Sequence, residues 1–264
     1  MRRTRLQSVA RHVLFAAVLS TGVQAQSKFP PDSLVNVKVI PRGTSPIQLI
    51  GTMRNFSGDL GVRCQFCHVG NEGQPLDQFN FTSDEKRTKL VARQMMLMVA
   101  EINRRLDSLP KGATPPLRVS CATCHHGVSR PAPLSTVVAE SAESFGADSA
   151  VRIYRRLRER YFGSDAYNFG EASLNTAAFR LGRAGKYTDA FALLTLNEEL
   201  YPNSSGMSVF RGNISLMQGD TASAERAFRE AIRRDPNNTE AAGRLRTIGR
   251  PPLSPRPARP SRQR

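Results

Sequence analysis

A five-residue motif, Cys-x-x-Cys-His, occurs twice in this chain and constrains its fold and chemistry more than any other feature. The first copy spans residues 64–68 and the second spans 121–125, and together they contain all four cysteines of the chain. Two thiols at this spacing can form thioethers with the two vinyl groups of one porphyrin, and the adjacent histidine can then bind the iron. The sequence therefore predicts two covalently bound haem c groups.

Paired cysteines also permit two other interpretations, a tetrahedral zinc site and redox-active disulfides. Neither of these needs a histidine directly after the second cysteine, whereas both copies of the motif have one. Haem attachment is therefore favoured. The residues predicted to bind the first haem are Cys64, Cys67 and His68, and those predicted to bind the second are Cys121, Cys124 and His125.

Residues 1–25 have the pattern of a signal peptide. Four arginines come before or at the start of a short apolar run, residues 13–23, and Ala25 provides a cleavage site before Gln26. The run is too short to span a bilayer, and no cysteine follows it to carry a lipid anchor. Because haem c is attached outside the cytoplasmic membrane, export agrees with the motifs. We predict a periplasmic protein whose association with the inner membrane is at most peripheral, unless the signal stays uncleaved as an anchor.

The chain has an excess of positive charge, with 38 lysines and arginines against 22 acidic residues. Part of this excess lies in the segment 247–264, which is rich in proline and arginine and has no acidic residue. This tail is predicted to be disordered. A basic surface attracts acidic proteins or anionic lipid headgroups. We expect no nucleic-acid partner for an exported haem protein.

The predicted fold class is all-α, with two helical regions after a linker at 26–35. The first region, 36–135, is predicted to be a dihaem cytochrome c domain of the multihaem type. Its first helix follows the capping residue Ser45 and ends at glycines just before the first motif. Its second helix is predicted to start near Ser83, with acidic residues in its first turn. Each motif is therefore expected to follow a helix.

The second region, 148–246, has a 34-residue repeat, which is the period of tetratricopeptide repeats. Four positions recur at this spacing: Gly185, Tyr187, Ala190 and Pro202 are followed by Gly219, Thr221, Ala224 and Pro236. We expect α-hairpins like those of tetratricopeptide repeats, with a helix around 150–161 as an incomplete extra unit and the haem region as a cap. Such a stack can bind a protein or peptide on its concave surface. A coincidental period or a purely structural extension is the alternative.

The sixth ligand of each iron is a separate question, because a six-coordinate haem iron has two axial positions. Outside the predicted signal peptide, only His126 is a histidine that lies beyond the motifs. It adjoins His125 and cannot reach the opposite face of the same haem, and to bind the iron of the other haem it would need an unusual approach. We therefore expect it at the surface or beside a haem propionate. Methionine is the natural alternative, and it closes the iron to exogenous ligands, as suits electron transfer.

Four methionines lie on the two predicted helices that precede the motifs. Met53 is on the helix before the first motif, and Met95, Met96 and Met98 are on the helix before the second. Met95 and Met98 share one face of that helix, so that one can bind iron while the other packs. Packing in a protein core is the alternative for these methionines.

Residues 36–133 resemble the cytochrome subunit of purple-bacterial photosynthetic reaction centres. The matching features are Met53 eleven positions before Cys64, Leu60-Gly61, the stretch Val91 to Met98 with Ile102-Asn103, and Val119-Ser120-Cys121 with Gly127. The resemblance implies that each haem is held by a helix with a methionine ligand, a turn and the motif. It implies Met53 and Met95 as the sixth ligands, with Met98 in a packing position. The reaction-centre subunit differs in having four haems and usually a lipid anchor.

These features favour a periplasmic dihaem electron carrier over an enzyme. By the resemblance, its partners would be a photosynthetic reaction centre or a soluble cytochrome. One alternative is a peroxidase-like enzyme, for which the chain offers no obvious distal acid–base group near either motif. The other is a partner-binding or sensor protein in which the helical repeats do the main work.

Overall fold

The structure is a computed structural model that describes residues 29–110 and 117–248. Regular structure in this part of the chain is helical, apart from one isolated β-bridge between Val69 and Asn80. The predicted all-α fold class is therefore confirmed. The predicted signal peptide and the tail from residue 249 onwards lie outside the described residues.

Ten α-helices and two short 3-10 helices make up the described structure. The α-helices are α1 (Pro46–Leu60), α2 (Arg87–Asp107), α3 (Cys121–His125), α4 (Leu134–Phe145), α5 (Ala147–Tyr161), α6 (Glu171–Arg183), α7 (Tyr187–Leu200), α8 (Ser205–Gln218), α9 (Thr221–Arg234) and α10 (Thr239–Thr247). The 3-10 helices are Cys64–Phe66 and Leu76–Gln78. Both motifs thus contribute residues to a short helical turn.

The ends of α1 agree with the sequence prediction. The Ser45 hydroxyl accepts a hydrogen bond from the Gln48 backbone N–H at 3.3 Å, and the Gln48 side chain accepts one from the Ser45 N–H at 2.9 Å. This reciprocal pair is a capping box, which satisfies two of the backbone donors that an α-helix leaves free at its start. At the other end Gly61 adopts a left-handed conformation with φ of 63°. The helix therefore stops three residues before the first motif.

The start of α2 differs from the prediction. The sequence places it near Ser83, whereas the helix begins at Arg87. The carboxylate of Asp84 does not cap the first turn but forms ion pairs with Lys89 at 3.2 Å and Arg93 at 2.9 Å. An acidic residue before a helix can complement either the helix dipole or nearby cations. Here the Asp84 carboxylate forms ion pairs with the cations of α2.

The region up to residue 133 has almost no apolar core of its own. Among its described residues, the buried hydrophobic side chains are Phe79 and Val128. No residue of α1 is buried, and the buried residues of α2 are the cations Lys89 and Arg93. A domain of this size normally gains most of its stability from buried apolar area. These helices therefore need something other than their own side chains to pack against.

The helices from α4 onwards have ample cores. Side chains from α4 to α8 form one cluster, whose largest fully buried members include Val138, Tyr154, Leu174, Leu181, Leu193, Leu194, Met207 and Ile214. A second cluster joins α8, α9 and α10 around Phe228. The sequence predicts the repeats at 148–246, which leaves most of α4 between the two predicted regions. Because α4 packs against both α5 and α6, we propose to include it in the repeat region.

The residues that recur every 34 positions occupy equivalent places in two successive helical hairpins. Gly185 lies between α6 and α7 with φ of 75°, and Gly219 lies between α8 and α9 with φ of 85°. Tyr187 and Thr221 are the first residues of α7 and α9. Left-handed φ values favour glycine, so the recurring glycine reflects a recurring turn. That these hairpins are tetratricopeptide repeats stays a prediction.

Candidate haem-binding sites

The first motif lies in a tight turn that α2 helps to hold. The His68 backbone N–H donates to the Cys64 carbonyl at 2.9 Å, which closes one helical turn over the motif. From α2, the Thr88 hydroxyl donates to the Phe66 carbonyl. Just before α2, the Lys86 ammonium donates to the Gln65 carbonyl. The turn thus depends on side chains about twenty residues further along the chain.

The imidazole of His68 lies against an aromatic ring and close to several cations. The ring of Phe81 meets it edge-on, with 4.9 Å between the ring centroids. Burial and, after it, the positive charges of Lys89 and Lys86 together lower the pKa of His68 to about 4. At neutral pH this imidazole is therefore uncharged, which is the form that binds metals.

The second motif forms α3, and its histidine is oriented by a backbone carbonyl. His125 is 8% exposed, and its Nδ1 atom lies 2.8 Å from the carbonyl oxygen of Val128. A carbonyl only accepts hydrogen bonds, so Nδ1 carries the proton and Nε2 keeps its lone pair. Histidine ligands in metal sites are typically fixed in this manner. The geometry therefore leaves Nε2 of His125 available as an axial ligand.

Asn103, near the end of α2, connects that helix to the second motif. Its side-chain amide donates to the Val119 carbonyl at 2.9 Å, and its side-chain oxygen accepts from the Val119 N–H at 2.9 Å. The pair fixes the backbone two residues before Cys121. From the sequence alone, Asn103 is one residue of the stretch that resembles the reaction-centre cytochromes, and no role is predicted for it. Its position within that matched stretch was the signal available.

The end of α1 also packs against the second motif. The Gly127 N–H donates to the Asp59 carbonyl at 2.9 Å. A Cβ atom on Gly61 would lie only 1.9 Å from the carbonyl oxygen of Gly127. Glycine is therefore required at 61 both by its positive φ and by this close approach. The helix that precedes the first motif is thus joined to the turn after the second.

The structure places the predicted methionines on the helices named by the sequence analysis. Met53 is half-buried on α1, and Met95 and Met96 are half-buried on α2. Met98 is 47% exposed, so the described protein residues alone do not bury it in the packing position that the resemblance implies. Met53 and Met95 as sixth ligands stay predictions.

His126 lies at the surface directly after α3. It is exposed and adopts the left-handed conformation, with φ of 48°. Histidine is among the residues that tolerate this conformation better than most. A surface position was one of the two expectations for this residue.

An exposed apolar stripe runs along α2. It consists of Leu90, Val91, Leu97, Met98 and Ile102, each between 36% and 51% exposed. Apolar patches of this kind usually mark a surface that binds something. A porphyrin is large, flat and apolar, so it fits both this stripe and a region that lacks a core. Together with two thiols and one histidine in each motif, these residues fit a bound haem.

The described residues contain no cluster of side chains that could bind zinc. Within 29–110 and 117–248, no group of three or more histidine, cysteine or acidic side chains is arranged to hold a metal ion. No disulfide joins any two of the four cysteines. Burial raises the pKa of the Cys67 and Cys121 thiols above the usual value, which favours the protonated form.

A cluster of cations surrounds Asp84 beside the first motif. Lys38, Lys89 and Arg93 lie 3.0, 3.2 and 2.9 Å from its carboxylate oxygens. Hydrogen bonds from Arg93 and Lys38 hold the pKa of Asp84 far below its usual range. The Lys89 ammonium also donates to the Phe81 carbonyl at 2.8 Å. Because the Phe81 ring contacts His68, this cluster is adjacent to the first predicted axial ligand.

Within the described residues, none of the helices combines the length and the hydropathy needed to span a bilayer.

Comparisons with known proteins connect part of the chain to reaction-centre cytochromes. Residues 64–152 match the model of the family described as photosynthetic reaction centre cytochrome C subunit. Cytochrome c-554 of Chloroflexus aurantiacus is 39% identical over 94 residues, covering 35% of this chain and 20% of that protein. The photosynthetic reaction center cytochrome c subunit of Thermochromatium tepidum is 35% identical over 104 residues, covering 34% of this chain and 24% of that protein. The chain thus spans a quarter or less of the length of these relatives.

These similarities confirm the resemblance to reaction-centre cytochromes and imply covalently bound haem c in the matched segment. Both relatives are named as cytochromes of the c type, and these two are electron carriers, not enzymes. The family match ends within α5. The fusion to tetratricopeptide repeats, the number of haems and the partners lie beyond what these similarities cover.

Proposed function

We propose that residues 36–135 form a dihaem c-type cytochrome domain that carries single electrons between redox proteins. The observation that carries this proposal is the second motif, where Nδ1 of the buried His125 donates to the Val128 carbonyl and leaves Nε2 free. This is how proteins orient histidine ligands to metals. The similarity of residues 64–152 to reaction-centre cytochromes supports the same function.

Each predicted ligand has a defined task under this proposal. The cysteine pairs, Cys64 with Cys67 and Cys121 with Cys124, attach one porphyrin each to the chain. His68 and His125 would each supply one ligand to an iron, and Met53 and Met95 would supply the other, which would exclude exogenous ligands. Haem, once attached, supplies reversible one-electron chemistry. The apolar stripe of α2 excludes water from the porphyrin.

Hydrogen bonds hold the two sites together as one unit. The first motif is bound by Thr88 at the start of α2, the helix that belongs to the second site. The turn after the second motif is bound by the Asp59 carbonyl of α1, the helix that belongs to the first site. Because each motif is braced by the other site's helix, the sites keep a fixed separation. A fixed pair of sites is what an electron relay requires.

Location and partners are also part of the proposal. The protein would be exported through residues 1–25, because haem c is attached outside the cytoplasmic membrane. Its partners would be redox proteins, with a photosynthetic reaction centre or a soluble cytochrome as candidates, in keeping with the names of its relatives. The α4–α10 region would hold a protein partner, which is the usual role of stacked helical hairpins.

Haem content tests the proposal directly. The full chain is expressed in a host that attaches haem c in its periplasm, and haem per chain is measured by mass spectrometry and by haemochrome absorbance. We expect two haems in the unaltered chain. Replacing Cys121 and Cys124 together with serine should leave one haem, and replacing Cys64 and Cys67 should do the same. One haem or none in the unaltered chain would contradict the dihaem assignment.

Carbon monoxide binding tests whether a protein side chain occupies the sixth coordination position of each iron. The reduced protein should bind carbon monoxide slowly at both irons, because a methionine occupies each sixth position. Met53→Ala and Met95→Ala should each open one iron to rapid binding, whereas Met96→Ala, the matched control on the same helix as Met95, should not. Rapid binding at both irons of the unaltered protein would exclude a simple electron carrier of this kind.

A further inference from the structure

The two motifs differ in the charges that surround them. Beside the first motif, Lys89 and Arg93 are more than nine-tenths buried, and Lys86 donates directly to the Gln65 carbonyl within the motif. The positive charges of Lys89, Lys86 and Arg93 all act on the His68 imidazole. Asp84 is the carboxylate that offsets them, and it is shared with Lys38. The first site therefore keeps an excess of positive charge.

The second motif has a carboxylate as its charged neighbour. After burial, the negative charge of Asp59 is the main cause that raises the pKa of the Cys121 thiol. The position of Asp59 is fixed, because its carbonyl accepts the Gly127 N–H from the turn after the motif. Elsewhere in this region Arg118 pairs with Asp107 at 2.8 Å, and Glu101 pairs with both Arg104 and Arg105, whose side chains are at least 70% exposed. Water screens the one arginine charge left in excess there. The second site is therefore more negative than the first.

We propose that this charge asymmetry sets the direction of electron flow, from the haem at the second motif to the haem at the first. The inference rests on the dihaem function proposed above. A reduced iron has one positive charge fewer than an oxidised one, so nearby cations favour reduction and a nearby carboxylate opposes it. The first haem is consequently the stronger oxidant of the two.

The electron balance of the step is simple. A reduced redox protein gives one electron to the ferric iron at the second motif. That iron returns to the ferric state when it passes the electron to the ferric iron at the first motif. The ferrous iron at the first motif then reduces an oxidised redox protein. No bond to carbon forms or breaks, and no additional reductant is needed.

Coulomb's law gives the size of the effect. For a unit charge about 10 Å from an iron, at an effective dielectric constant of about 20, the equilibrium between the two haems changes by on the order of tenfold. For one electron, a tenfold change corresponds to about 59 mV in reduction potential. A shift of this size is resolved by potentiometric titration.

The experiment is a spectroelectrochemical titration of the full dihaem protein and three variants. Lys86→Gln removes a cation from the first site while it keeps a donor for the Gln65 carbonyl. Asp59→Asn removes the carboxylate from the second site. Arg87→Gln is the matched control, because Arg87 is exposed beside Lys86 and water screens its charge.

Both Lys86→Gln and Asp59→Asn should bring the two potentials closer together, the first by lowering the higher potential and the second by raising the lower one. Arg87→Gln should leave both nearly unchanged. Variants that keep one motif assign the potentials, and the protein with only the first motif should have the higher one. Potentials that move apart, or that stay in place in both charge variants, would overturn the assignment. Two reversible one-electron steps would still support the dihaem function in that case.

Discussion

Replacing Asn103 with alanine removes both hydrogen bonds that join α2 to the second motif. Each bond is 2.9 Å long, and the Asn103 side chain is partly buried. A typical protein hydrogen bond contributes about 0.5–1.5 kcal/mol, and water can reach part of this site, so the loss should be about 1–2 kcal/mol in the free energy of unfolding. For a protein of this size that corresponds to a decrease of about 2–8 °C in Tm.

The assay is thermal unfolding of the haem-loaded protein, followed by far-ultraviolet circular dichroism and by haem absorbance. Asn103→Asp is the informative second variant, because its carboxylate can still accept from the Val119 N–H but repels the Val119 carbonyl. Asn55→Ala, at an exposed position on α1, is the matched control. We expect the haem signal of Asn103→Ala to change at a lower temperature than in the unaltered protein. A Tm equal to that of Asn55→Ala would refute the bracing role.

Three further predictions follow from individual contacts. Gly61→Ala should reduce haem loading or stability, as measured by haem content and Tm, because its Cβ would meet the Gly127 carbonyl oxygen at 1.9 Å. Tyr154→Phe should leave the free energy of unfolding in urea unchanged or slightly higher, because the buried Tyr154 hydroxyl has no hydrogen-bond partner among the described residues. Tyr201→Phe should lower the free energy of unfolding by about 1 kcal/mol, because it removes a 2.8 Å hydrogen bond from the Tyr201 hydroxyl to the Phe169 carbonyl. The pKa of Asp84 is lowered in the folded state, so its carboxylate stabilises the fold above the usual aspartate pKa, and this contribution is lost as pH falls towards the pKa of the folded state. Asp84→Asn should therefore reduce the dependence of stability on pH in urea melts below about pH 4.

The chemistry of the chain is readable from the sequence because covalent attachment depends on local spacing. Two cysteines and a histidine within five residues define a haem site whatever the rest of the fold does. Local capping is readable for the same reason, as the interaction of Ser45 with Gln48 shows. In both cases the interacting groups are within a few residues of one another.

Interactions across the fold are less accessible to sequence reasoning. The start of α2 was placed four residues too early because Asp84 does not cap the helix but pairs with Lys89 and Arg93 of α2 and with Lys38, which lies 46 residues away in the chain. The role of Asn103 depends on Val119, which lies 16 residues further along the chain. The segment of α4 has no counterpart at the 34-residue period, although Leu134 and Val138 have helical spacing. The 34-residue period therefore predicts the hairpins α6–α7 and α8–α9 but not α4, the helix that precedes them and packs against α6.

The contrast between the two regions follows from where each obtains its apolar interior. The helices from α4 onwards bury leucine, alanine and aromatic side chains against one another, so their stability is encoded in side-chain pattern. The helices up to α3 bury the cations Lys89 and Arg93 and the imidazole of His125, and they leave the apolar stripe of α2 exposed. For these helices, the apolar surface that drives folding must come from the porphyrin. The two cysteine motifs thus determine the packing of the first region as well as its chemistry, because attaching haem supplies the core that the sequence omits.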